Sequence, residues 1–122
     1  MRAEPSHQSD KTRLRQEFRG KRAGIDPARR VKLDAEINRR LLDFAGRRQP
    51  AVVAAYASFD GEPDLSTALK DLAGAGVTIA LPVIEDAPGK KVIAFRQWSG
   101  NCTMHNNRYG IAEPEGLSLI HI

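Results

Sequence analysis

The sequence predicts an α/β fold of three layers, with a mainly parallel sheet and a helical hairpin at its amino end. Three observations predict it. Two short runs, "AVVAAYA" at 51–57 and "VTIALPVI" at 77–84, are apolar on both faces, the composition of strands covered on both sides. A helical pattern lies between them, and strand–helix–strand with such strands implies a parallel pair joined by a right-handed crossover. Ahead of them, residues 1–50 hold two helical patterns and no strand pattern.

Each element has a local reason. Ser9 or Asp10 can cap a first helix running to about Lys21, with Leu14 and Phe18 one turn apart on one face. Lys11, Arg15, Arg19 and Arg22 make a basic stripe on another face. A second helix starts with Asp26 as N-cap and Pro27 at its first position. Leu33, Ile37, Leu41 and Phe44 are its expected buried stripe, and Gly46 its expected stop. Asp64 can cap a third helix whose Leu65, Leu69 and Leu72 share a face. Burying each leucine contributes about 1.5–3 kcal/mol, and Gly74 and Gly76 end the helix. "KKVIAF", 90–95, is a third strand, entered through a hairpin at "DAPG".

Totals bound the function. With 122 residues the chain is one domain, and 41% hydrophobic against 28% charged residues is the balance of a globular protein rather than a disordered one. A lone cysteine, Cys102, rules out an internal disulfide and favours a reducing compartment. The amino end has no apolar signal-peptide core, and no apolar run approaches the roughly 20 residues of a membrane helix, so a cytoplasmic location is expected. The net charge of +4 is divided unevenly: residues 1–50 carry 14 Lys and Arg against 7 Asp and Glu, and the remainder 5 against 8. A cationic front suits an anionic partner, or is simply a solvated helix face.

The candidate chemistry lies where the first strand ends. "SFDGEPD" places Asp60, Glu62 and Asp64 in one loop, and Pro63 holds Glu62 extended. In open α/β sheets ligands bind beyond the carboxyl ends of strands. Position alone leaves open whether Glu62 takes a ligand or complements the helix dipole, as Asp64 can. Lys11 near a helix start would suit a phosphate there, or be an exposed lysine tolerated at small cost. Cys102 and His105 have a spacing that could begin a zinc site, but no second pair exists, so no metal ligands are assigned. Trp98 and Tyr109 are expected as core or rim aromatics.

"KTRLR" opening a basic helix, then "YASFDGEPDLSTALKDLAGAGVTIALPVI", then "RYGIAEP", resembles the 5-formyltetrahydrofolate cyclo-ligase family over roughly residues 10–116. The resemblance implies an enzyme that uses ATP and Mg2+ to convert 5-formyltetrahydrofolate into 5,10-methenyltetrahydrofolate, releasing ADP and phosphate. It implies ATP binding by Lys11, Thr12, Arg13, Leu14 and Arg15. It also implies folate binding by Glu62, with Ala57 lining the pocket and Tyr109 packing against the folate. A monomer is expected, with no nucleic-acid or membrane partner.

The chain departs from that family after its "EP" turn. The pattern P-x-x-x-F-D and the glycine-rich R-L-G-x-G-x-G-Y-Y-D loop, where catalytic residues are expected, do not occur in it. Residues 1–9 are expected as a flexible lead and 10–116 as a partial domain lacking the carboxyl-terminal part of the fold. The tail "LSLIHI", 117–122, is what CTG-TCT-CTT-ATA-CAC-ATC encodes, the end of a transposase-based sequencing adapter, and is expected to be non-native. The alternative is a short apolar tail forming one last strand. A partial protein of this kind is expected to be inactive. Two rival functions remain at this level. One is a basic helical hairpin binding nucleic acid, although its basic face lacks interleaved aromatics. The other is a small α/β enzyme acting on a sugar phosphate.

Overall fold

The computed structural model describes residues 7–116 and 119–120. Helix α1 spans His7–Ala23 and α2 Pro27–Arg48. Strand β1 (Val52–Ala54) is followed by α3 (Ser66–Gly74), and then by the long hairpin of β2 (Thr78–Ala87) and β3 (Lys90–Trp98). Two three-residue strands, β4 (Met104–Asn106) and β5 (Ala112–Pro114), make a second hairpin, and β6 (Leu119–Ile120) pairs with β3. The class is α/β, as the sequence predicts.

The main sheet has the order β1–β2–β3–β6. The expected crossover is present: β1 and β2 are parallel, Val53 beside Ile79, with α3 between them in sequence. The remaining two pairings are antiparallel, so the sheet is mixed. The β2–β3 hairpin turns at Pro88 and Gly89, where the glycine takes φ 74°. Leu69 and Leu72 of α3, Ile79 and Leu81 of β2 and Ala45 of α2 form the buried core. Ile79, Ala80, Leu81 and Val83 are all buried, so β2 is covered on both faces as its composition requires. β1 is equally apolar but is an edge strand, and Val52 stays exposed.

Three local expectations are corrected. Helix α1 includes His7, so Lys11 is its fifth residue and not part of its start. Lys11 therefore lies past the four free N–H groups of the helix start, which offer it no phosphate site. Helix α2 runs through Gly46 and stops at Gln49, which takes the left-handed φ of 49° and donates its N–H to the Ala45 carbonyl. Its N-cap is as expected: the Asp26 carboxylate accepts the N–H groups of Ala28 and Arg29.

The third correction concerns the face of α2. Leu33, Ile37 and Phe44 remain exposed, at 37%, 36% and 52%, while Asn38 and Ala45 are buried and Leu42 packs on the core. The packing face is therefore turned by one residue, about 100°, from the expected stripe. Asn38 explains the choice. Its side-chain N–H groups donate to the carbonyls of Asp34 and Asp64, each at 2.7 Å, and its oxygen accepts Ala68 N–H at 2.9 Å. A buried amide with these donors and its acceptor satisfied pins α2 to the start of α3. That forces α2 to present the Asn38 side.

Candidate functional site

The loop after β1 occupies the place where α/β sheets bind ligands. Ala55 N–H donates to Ala80 O, extending the parallel ladder one step past β1, and the chain then leaves the sheet. Asp60 and Gly61 both take positive φ, 56° and 78°. Glu62 N–H closes this two-residue turn on the Phe59 carbonyl at 3.2 Å. Aspartate tolerates that region and glycine suits it, so the "DG" pair specifies the turn.

The turn aims Glu62 back along its own loop. Its Oε1 accepts Phe59 N–H at 3.1 Å, and its carbonyl accepts the Ser58 hydroxyl at 2.8 Å. The Tyr56 hydroxyl donates to Pro63 O at 3.1 Å. Burial, with the neighbouring Glu62 and Asp34 carboxylates, pushes the Tyr56 hydroxyl up from its ordinary value. Asp64 bonds Ser66 N–H at 2.9 Å at the start of α3, and the bonds from Ser66 hold its carboxyl below the usual range. Asp64 thus serves the helix start, whereas Glu62 braces the loop through one carboxylate oxygen.

Beside this loop lies a cavity of about 380 Å³, lined among others by Tyr56, Ala57, Ser58, Ser66, Trp98 and Met104. Its apolar rings and thioether with a few hydroxyls are the usual makeup of a small-molecule site. A larger cleft of about 480 Å³ between α2 and α3 is lined by Val31, Asp34, Asn38 and Leu42, and its one buried polar side chain, Asn38, is already satisfied. The smaller cavity, at the end of β1, is the better site.

Ala57 lines the cavity as expected, while Glu62 and Tyr109 are not among its walls. Tyr109 is exposed in the turn between β4 and β5. That turn nevertheless meets the Glu62 loop: a Cβ on Gly110, whose φ is 80°, would lie 3.6 Å from the Phe59 ring. Lys11, Thr12, Arg13, Leu14 and Arg15 all lie exposed on α1. Lys11 and Arg15, one turn apart, have no ion-pair partner among the described residues. The basic stripe does not continue free. Arg19 pairs with the Asp60 carboxylate, and Arg22 donates to the Asp60 carbonyl at 3.4 Å. The carboxyl end of the stripe is therefore attached to the acidic loop.

Sequence reasoning missed two groups that hold the site. Asn38 is one; its signal was a polar residue at helical spacing with Leu42 and Ala45. Glu113 is the other, only 4% exposed. It accepts Ile84 N–H at 2.8 Å, Asn107 Nδ2 at 3.0 Å and a contact from His105 Nε2 at 3.1 Å. Burial alone would raise its carboxyl, but the hydrogen bonds from Asn107, Ile84 and His105 together hold it below the usual range. It ties the β4–β5 hairpin, and with it Tyr109, to β2.

No group of three or more His, Cys, Asp or Glu side chains that could hold a metal exists among the described residues. The described residues therefore do not fit a magnesium site made by protein side chains alone. Among the same residues, no helix is long and apolar enough to cross a membrane.

The family described as the 5-formyltetrahydrofolate cyclo-ligase family matches residues 7–120. Among solved structures, the NMR structure of Aquifex aeolicus 5,10-methenyltetrahydrofolate synthetase superposes with a TM-score of 0.74 at 22% sequence identity. The match covers 90% of this chain and 54% of that one, so the chain spans about half the length of that relative. No curated protein matches the chain.

Proposed function

Because the chain belongs to the 5-formyltetrahydrofolate cyclo-ligase family, we propose that it forms the amino-terminal part of an enzyme closing 5-formyltetrahydrofolate to 5,10-methenyltetrahydrofolate at the expense of ATP. The formyl oxygen takes the γ-phosphoryl group and ADP leaves. The neighbouring folate nitrogen then attacks the activated carbon and gives up its proton, and the C–O bond breaks to release phosphate. Phosphoryl transfer needs positioning and charge neutralisation more than covalent help from protein groups.

The observation that carries this reading is the Glu62 loop. A carboxylate with one oxygen braced by Phe59 N–H stands next to the cavity that Ala57 lines. Its second oxygen is suited to accept hydrogen bonds from the N–H groups of a pterin. Lys11 and Arg15 supply an exposed cationic pair for phosphates, with Thr12, Arg13 and Leu14 in the same stretch, and Tyr109 offers an aromatic face at the loop's far side. Mg2+, if required, is expected to bind mainly through phosphate oxygens, as it commonly does. The enzyme is proposed to be a cytoplasmic monomer. Nucleic acid is the weaker alternative, because Arg19 and Arg22 are occupied by the protein's own loop.

The phosphate assignment has a direct test. In the full-length gene product, Lys11→Gln with Arg15→Gln is expected to weaken ATP binding while folate affinity holds. Losing two charge-assisted contacts corresponds to roughly tenfold or more. An unchanged ATP titration would reject the assignment.

We further propose that residues 10–116 are a partial domain and that residues 117–122 are a non-native tail, although Leu119 and Ile120 pair with β3. Two findings support the partial domain. The chain spans about half of its structural relative, and β1 has the composition of a covered strand at an exposed edge. Residues 1–122 alone are expected to aggregate and to form no methenyltetrahydrofolate, whereas a version extended by the downstream genomic sequence does. Soluble, cooperatively folding 1–122 with ATP-dependent turnover would overturn this.

A further inference from the structure

Arg30 stands where a cation is electrostatically disfavoured. It lies in the first turn of α2, where the helix dipole disfavours a cation and the adjacent N-cap acid, Asp26, is bonded to the N–H groups of Ala28 and Arg29. Its guanidinium is directed away from α2. Nη1 donates to the Gly61 carbonyl at 2.8 Å, and Nη2 donates to the Arg22 carbonyl at the end of α1. One planar group thus bridges the Arg22 carbonyl at the end of α1, which also accepts Ile25 N–H at 3.2 Å, and the carbonyl at the tip of the Glu62 loop. Asp60 is held from the same side by Arg19 and Arg22. Gly61 packs so closely that a Cβ on it would sit 3.4 Å from Arg22 Cβ, with φ at 78°.

We propose that Arg30 is a positioning residue for Glu62. It does not touch the proposed ligand. It fixes the Asp60–Gly61 turn against α1, and the turn fixes Glu62, whose N–H and carboxylate both bond Phe59. The ligand half of this inference rests on the folate reading of Glu62, and the clamp half does not. Arginine is required because the two carbonyls belong to different segments and need two donors set at a fixed spacing. A lysine ammonium is a point charge without that fork.

The test compares wild type, Arg30→Lys and the exposed control Arg29→Lys in the full-length gene product. Three quantities are read: hydrogen exchange at the Glu62 and Gly61 amides, the dissociation constants of 5-formyltetrahydrofolate and ATP, and the unfolding midpoint. In Arg30→Lys, exchange at Glu62 is expected to accelerate about tenfold. Folate affinity is expected to fall about three- to tenfold while ATP affinity holds, and Arg29→Lys should match wild type. A merely structural role would instead lower the unfolding midpoint and weaken both ligands together. Faster exchange in Arg30→Lys, with no folate binding by wild type, supports the clamp and overturns the folate reading. Faster exchange with unchanged folate affinity overturns the positioning role. Unchanged exchange overturns the clamp whatever the ligands do.

Discussion

Glu113→Ala is expected to destabilise the protein by about 2–4 kcal/mol. The carboxylate is buried and accepts from Ile84 N–H, Asn107 Nδ2 and His105. Removing it strands a backbone donor of β2 and a side-chain amide, each costing about 1–3 kcal/mol when left without a partner. His105 is the exposed member of the cluster and also meets Glu115 at 3.1 Å, so it stays solvated, and His105→Ala should cost under about 1 kcal/mol. Urea unfolding of both variants in the full-length product provides the measurement. Equal effects from the two substitutions would mean that the ion pair matters and the buried bonds do not.

The same group predicts a pH dependence. The Glu113 carboxyl is lower in the folded protein than its ordinary 4.5, so folding favours its charged form. Its contribution is complete above that ordinary value and is lost as pH falls through the depressed folded value. Stability of wild type should therefore fall below about pH 4.5 more steeply than that of Glu113→Gln. Parallel pH profiles would show that Glu113 is not the group responsible.

Glu62→Ala is expected to weaken folate binding by about 1.5–3 kcal/mol, roughly ten- to 150-fold, because a charged acceptor is removed. The substitution also removes the brace on Phe59 N–H, which adds a stability cost of about 0.5–1.5 kcal/mol and has to be separated from the binding effect. Glu62→Gln separates them. Its amide oxygen keeps the Phe59 bond at nearly wild-type stability, yet it replaces half of the carboxylate's accepting capacity with a donor. Folate titration should show both variants weakened. If both bind folate normally and only Glu62→Ala loses stability, Glu62 does no more than brace its loop.

Much of this site is legible in the sequence. "DG" in the loop, Pro63 after Glu62 and the apolar run before them are local signals, and the loop forms where they put it. Asp26 and Pro27 start α2 as their chemistry requires. The destination of the basic stripe was not readable. Lys11, Arg15, Arg19 and Arg22 look equivalent in sequence, but only the folded chain brings Asp60 within reach of Arg19 and Arg22. The start of α1 was misjudged because Ser9 and Asp10 are good caps in isolation, and a helix already running does not need them.

The amino-acid sequence by itself determined the α/β class, the β1–α3–β2 crossover, the β2–β3 hairpin and the Glu62 loop at the end of β1. Each of these follows from patterns within a few residues: apolar runs, a two-residue turn, a cap, a proline. Tertiary structure alone decided which face of α2 is buried, that Glu113 is a buried tether rather than a turn acid, and that Arg30 reaches Gly61. α2 carries apolar residues on two adjacent faces, so its own periodicity cannot choose between them. Asn38 chose by finding its partners at Asp64 and Ala68, about thirty residues away. Glu113 finds Ile84 at a similar separation. The worth of a buried polar group depends on partners that only the folded chain brings to it, and no local pattern encodes them.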